Sequence, residues 1–264
     1  MDVIEVAGLR IAYERRGTGP PVVFLHGFVG HSREWRHQID DLSDAFTVVA
    51  WDAPGAGRSS DPPDWFRLAD YADCLAAFID ALGLERPHVV GLSFGGALAL
   101  ELYRRHPSVP GSLVLASAYA GWAGSLPDEV IRRRLQATLA AADLPLEQLV
   151  QSMIPSMFSG SPPLEAVEAF RAVMLEIHPS GLRAMARSLA EADLRDVLPR
   201  IGVPTLLLSG DQDVRAPLAI AQELHTRIPG SRLVIMPGVG HMSGVEAPQQ
   251  FNSEVRRFLL SVRV

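Results

Sequence analysis

The chain has no lysine: all 24 of its basic residues are arginine. That excludes a Schiff-base amine, a Ser-Lys dyad and the lysine of a phosphate-binding loop. It is almost without cysteine. Cys74 stands alone, so no internal disulfide and no cysteine-built metal cluster can form. The surrounding "YADCLAAFIDALGL" has helical apolar spacing, and Cys74 reads there as a small buried hydrophobe. An excess of positive charge is missing too. The formal charge of −6 argues against a nucleic-acid partner. No run of about eighteen apolar residues occurs, so no membrane span is expected, and "MDVIEVAGLR" lacks the apolar region of a secretory signal. The expectation is a cytoplasmic protein acting on a small molecule, as a monomer or a homodimer.

What is present is ample material for one core: 264 residues, 48% of them hydrophobic. Short apolar runs alternate with helical patterns. "PVVFLHG", "FTVVAWD", "HVVGLS" and "GSLVLAS" read as buried parallel strands, and "RIAYERR" as an antiparallel edge strand. The alternation returns at "VPTLLLSG" and "SRLVIMPG". This predicts an α/β fold, a mostly parallel eight-stranded sheet flanked by helices. Between them the strands stop, and four helical patterns punctuated by Pro145, Pro162, Pro163 and Pro179 follow. We expect a core of residues 1–120 and 199–264, with residues 121–198 as a helical cap.

One stretch carries chemistry. In "GLSFGG", Gly91, Ser93 and Gly95 form G-x-S-x-G where a strand meets a helix. A serine on so tight a turn is forced into strained backbone angles, and its neighbours two places away must be small. The turn would project the Ser93 hydroxyl above the sheet and leave the Phe94 N–H free at a helix N-terminus. The plain alternative is that Ser93 only caps the helix. A serine nucleophile also needs a base, and the base a third group to orient it. Asp211 and Asp213 follow one late strand in "LLLSGDQDVRAP", and His241 follows the next in "LVIMPGVGHMSGVEAP". Both lie at carboxyl ends of strands, where open α/β sheets bind ligands.

The segments "FLHGF", "WDAPGAGRSS", "GLSFGG", "GDQDVRAP" and "GVGHMSGVEAP", in that order over nearly the whole chain, resemble the α/β-hydrolase family. The resemblance implies the α/β-hydrolase fold and a catalytic triad of Ser93, Asp213 and His241. Asp213, not Asp211, takes the acid position of the family's G-x-x-D pattern, and Asp211 becomes a turn residue. Within "LHGF" the Phe28 N–H would join Phe94 as an oxyanion donor, with the His26 ring propping the loop. Asp52 and Arg58 read as fixing a glycine-rich turn. The resemblance implies no cofactor and no metal. Of the other histidines, His31, His37, His178 and His225 read as solvated surface.

A serine at the elbow argues against haloalkane dehalogenases and related epoxide hydrolases, which use aspartate there. The remaining expectation is an esterase or lactonase; small lactonases and 3-oxoadipate enol-lactonases are the most similar. A cofactor-free perhydrolase or haloperoxidase, a carbon–carbon bond hydrolase and a slow-turnover signalling receptor of the same fold stay open. Trp122, Met153, Met157, Phe158 and Met242 are the candidate substrate contacts, flexible and apolar, although such residues also serve as core between helices. Arg132 to Arg134 read as a solvated face, leaving no inward cation for a diacid substrate.

Overall fold

The runs "PVVFL", "TVVAW", "HVVGL" and "SLVLA" have no polar face, so each must be covered on both sides. In the computed structural model, which describes residues 1–262, they form β3 (Pro21–Leu25), β4 (Thr47–Trp51), β5 (His88–Leu92) and β6 (Ser112–Ala116). With β1 (Asp2–Val6), β2 (Leu9–Arg16), β7 (Thr205–Gly210) and β8 (Arg232–Met236) they make one eight-stranded sheet, ordered β1-β2-β4-β3-β5-β6-β7-β8. Only β2 runs against the rest. It is not the edge strand expected from "RIAYERR", because β1 pairs outside it, Ile4 opposite Ile11.

Helices α1 (Arg36–Leu42), α2 (Leu68–Ala81), α3 (Phe94–Arg105), α8 (Leu218–Arg227) and α10 (Pro248–Ser261) flank the sheet, and a single turn, α9 (Ser243–Glu246), precedes the last. Four more, α4 (Asp128–Ala141), α5 (Leu146–Met153), α6 (Leu164–Met174) and α7 (Pro179–Glu191), stand between β6 and β7. This helical insert is closed at its base. Trp122 N–H donates to the Leu189 carbonyl at 2.8 Å and Leu194 N–H to the Ala120 carbonyl at 2.9 Å, so the chain enters and leaves at one place. Gly181 of α7 lies directly on the Gly55 backbone, where neither position leaves room for a Cβ.

The insert changes what two sequence readings meant. His31 is not solvated: it is 2% exposed, because α6 ends over the loop that carries it, with Glu176 3.7 Å from its Nε2. Arg134 does not share a solvated face with Arg132 and Arg133. Its guanidinium turns inward to the Tyr119 hydroxyl at 3.1 Å and the Arg215 carbonyl at 3.0 Å. His178 is half-buried, bonded to Asp61 and to the Gly57 carbonyl, while His37 and His225 are exposed as expected.

Candidate active site

The turn after β5 is as tight as its sequence requires. Ser93 has φ 53° and ψ −107°, a conformation that costs about 1–3 kcal/mol and persists only where the surroundings impose it. They do. A Cβ at Gly91 would run into the Gly95 carbonyl, and one at Gly95 into the Leu25 carbonyl, so strand and helix can close on each other only through glycine. Ser93 N–H is held by the Ala116 carbonyl at 2.9 Å, at the end of the neighbouring strand. The hydroxyl makes no capping bond to α3. The simple cap alternative therefore has no bond to support it.

Asp213 follows β7 in a loop that supplies its own donors: the Arg215 and Ala216 N–H groups reach its Oδ1, each at 2.8 Å. Its Oδ2 lies 2.8 Å from His241 Nδ1, and both side chains are buried. Burial raises the Asp213 carboxyl. The charge and hydrogen bond of His241 and the Ala216 N–H outweigh it and hold the group below the ordinary aspartate value. The carboxylate thus accepts a hydrogen bond from Nδ1–H and leaves Nε2 as the free nitrogen. Asp211 plays the turn role expected, accepting from Gly238 N–H at 2.7 Å.

Ser93 and His241 line one small cavity, together with Gly27, Phe28, Val29, Glu34, Leu92, Met157, Phe170 and Met242. Its volume is about 10 Å³, room for no more than a water. No hydrogen bond joins Ser93 to His241 among the described residues; in enzymes without bound substrate such catalytic hydrogen bonds are often long. A cavity of that size admits no substrate-sized molecule, and side chains of the helical insert form part of its wall. Among the described residues, neither the Phe28 nor the Phe94 N–H has a hydrogen-bond partner.

His26 does prop the Phe28 loop, by defined bonds. Its Nε2 accepts from Ala53 N–H at 2.9 Å, which leaves Nδ1 to donate to the Gly27 carbonyl at 2.7 Å. Burial lowers its pKa to about 4, so the ring is neutral. Asp52 accepts from Ser32 and Arg58 N–H groups, the turn-fixing role read from sequence.

Of the five candidate substrate contacts, Met157 and Met242 line the cavity. Trp122 stands behind Phe28, edge-on at 6.4 Å, and Phe158 behind Phe170 at 5.9 Å. Met153 faces a different cleft, beside Arg134. Sequence reasoning missed three neighbours. Phe170 lines the cavity from α6. Ser117, at φ 46°, donates to the His241 carbonyl at 3.2 Å. Glu34 is buried in the cavity wall, accepting from Gly27 N–H at 3.2 Å through Oε1 while Oε2 has no partner. Burial pushes its pKa well above the ordinary glutamate value, only partly opposed by the hydrogen bond from Gly27. Only the short spacing of Glu34 from "LHGF" could have hinted at this.

Comparison with known proteins gives a consistent result. The family profile described as the alpha/beta hydrolase fold matches residues 20–248. A protein of Caulobacter sp. (strain K31), provisionally named the carbamate hydrolase RutD, is 33% identical over 247 residues, 90% of each chain. Among solved structures, a thermophilic esterase from Thermogutta terrifontis superposes with a TM-score of 0.91 at 29% identity, covering 100% of this chain and 99% of its own. An enol-lactonase from Burkholderia xenovorans LB400 gives 0.89 at 25% identity, covering 98% and 100%.

Proposed function

This chain belongs to the α/β-hydrolase family and is a hydrolase, and we propose that it cleaves a carboxylic ester or lactone of a small, largely apolar substrate through an acyl-enzyme intermediate. The observation that carries this reading is the buried Asp213–His241 pair, 2.8 Å apart, whose histidine lines one cavity with a strained, uncapped serine. In the proposed mechanism Ser93 Oγ attacks the carbonyl carbon as His241 Nε2 takes its proton. Asp213 holds the ring tautomer and stabilises the imidazolium. The Phe28 and Phe94 N–H groups receive the oxyanion, each contributing about 3 kcal/mol. His241 then protonates the leaving alkoxide, activates a water against the acyl-enzyme, and returns the proton to Ser93.

Stopped-flow turnover of p-nitrophenyl acetate tests this. The expected trace is steady release over many turnovers. A single burst followed by a stall would replace the enzyme with a slow receptor of the same fold. Ser93→Ala should lose at least about ten-thousand-fold in kcat/KM with its thermal melt retained. Undiminished hydrolysis by that variant would refute the assignment.

A further inference from the structure

A second cleft lies beside the candidate active site, about 540 Å³ in volume, between α4, α5 and the loop that carries Asp213. Its walls are apolar, including Ala141, Leu144, Met153 and Val214, and two arginines, Arg134 and Arg215, stand in it. Both are half-buried. Neither has a carboxylate within 4.0 Å among the described residues. Their protein partners are neutral oxygens: Arg134 binds the Tyr119 hydroxyl and the Arg215 carbonyl, and Arg215 Nη1 binds Ser156 Oγ at 2.8 Å. The Arg134 guanidinium is thus held on the Arg215 backbone, and the two arginines line one partly desolvated cleft without a contacting counter-charge. Burial, and then the neighbouring Arg134, depress the Arg215 pKa, although Tyr119 and Asp213 oppose this. Such a pair favours an anion that both can bind.

Phe28 neighbours both this cleft and the Ser93 cavity. The Arg215 guanidinium sits 5.6 Å from the centroid of the Phe28 ring, and Phe28 lines the serine cavity. Ser156, bonded to Arg215, is followed in the chain by Met157, which lines the same cavity. A ligand group on the two arginines would therefore be joined to the serine by a short chain, and the apolar walls suit an alkyl one.

We propose that Arg134 and Arg215 form an anion subsite for a carboxylate carried by the substrate, so that the preferred substrate is an ester or lactone with a free carboxylate on its acyl chain. This rests on the hydrolase reading above. It deepens that reading by naming the group the cleft recognises. Arg134 and Arg215 act as specificity residues, and opening the Arg215–Ser156 contact joins cleft to cavity.

Two measurements test the subsite and the chemistry separately. The first compares kcat/KM for 4-nitrophenyl hydrogen adipate with its neutral methyl-capped counterpart. Wild type should favour the charged ester at least tenfold, and 0.5 M NaCl should erode the preference. Arg134→Gln should bring the ratio near one, and Arg134→Lys should restore part of it. Arg215→Gln should do the same, but its contact with Phe28 makes Arg134→Gln the cleaner probe. The second measures calorimetric binding of monomethyl adipate and dimethyl adipate to Ser93→Ala, which needs no turnover; the monoanion should bind at least tenfold tighter. Binding preference without hydrolysis by wild type would keep the subsite and reject the esterase chemistry. Hydrolysis of both esters at equal efficiency would reject the subsite and keep the chemistry. A charged-ester preference that survives both arginine substitutions also rejects it, and inorganic phosphate binding as tightly as the monoester would overturn the carboxylate assignment.

Discussion

The cavity around Ser93 has two walls made in opposite ways. One comes from the sheet, where backbone meets backbone: Gly91 and Gly95 admit no side chain, and the strands behind them are fully buried. The other comes from the helical insert, where side chains such as Met157 and Phe170 close the space. The insert is tied to the histidine loop by few bonds. Met242 N–H donates to the Met157 carbonyl at 3.0 Å, and the Glu246 carboxylate gathers the N–H groups of Gly240 and Ser159. The lesson is a division of labour. Ser93 sits on a turn fixed by close glycine contacts, and the shape-giving wall is made of side chains of the helical insert.

Substitutions on the two walls should break or sharpen that contrast. After Ser93→Ala, the largest effect is expected at the acid. Asp213→Asn leaves the packing nearly isosteric but removes the group that fixes the His241 tautomer, so turnover should fall by about a thousand- to ten-thousand-fold, read as kcat on a p-nitrophenyl ester. Next comes Gly95→Ala, whose methyl meets the Leu25 carbonyl in a place with no slack. A loss of about 3 kcal/mol in urea unfolding is expected. Gly160→Ala on the insert, where a Cβ would meet nothing within 4 Å, should change the same measurement little. Equal losses at both positions would remove the distinction between the walls.

Smaller effects separate two buried titratable groups by the sign of their pH dependence. Glu34 has a folded-state pKa raised by burial, so its contribution to stability is complete below the ordinary glutamate value of 4.5 and is lost as pH rises through the folded value. Glu34→Gln should therefore gain in melting temperature relative to wild type at pH 8 compared with pH 4. His26 runs the other way. Its pKa is about 4 in the fold against 6.5 when exposed, so stability is complete above 6.5 and falls as pH drops towards 4. His26→Gln should flatten that acid limb in a pH series of melts. The mildest change is Met157→Ala on the insert wall: chain-length preference among p-nitrophenyl esters should shift by no more than about tenfold, one hydrophobic contact's worth.

Much of this was legible from residues because it depends on local geometry. "GLSFGG" specifies a strand, a strained turn and a helix within six positions, and the observed φ of Ser93 follows from the two glycines beside it. The two-sided apolar runs likewise specify a buried sheet. Illegible were the features created by elements distant in sequence. "RIAYERR" has the composition of an edge strand, but β1 folds back beside it. His31, Glu34 and Arg134 are polar residues on segments that look solvated until another element covers them. Glu176 at the end of α6 reaches His31, and Tyr119 and Arg215 draw in Arg134.

By itself, then, the sequence determined the residue types available for chemistry, the turn that exposes Ser93 and the alternation that builds the sheet, since steric limits and apolar periodicity act over a few residues. Tertiary structure alone decided which polar groups lost their water. That outcome depends on which surfaces the helical insert covers, and it turned an arginine from a run that reads as solvated into a cation facing a cleft and a glutamate into a buried acid with a raised pKa in the wall of the serine cavity.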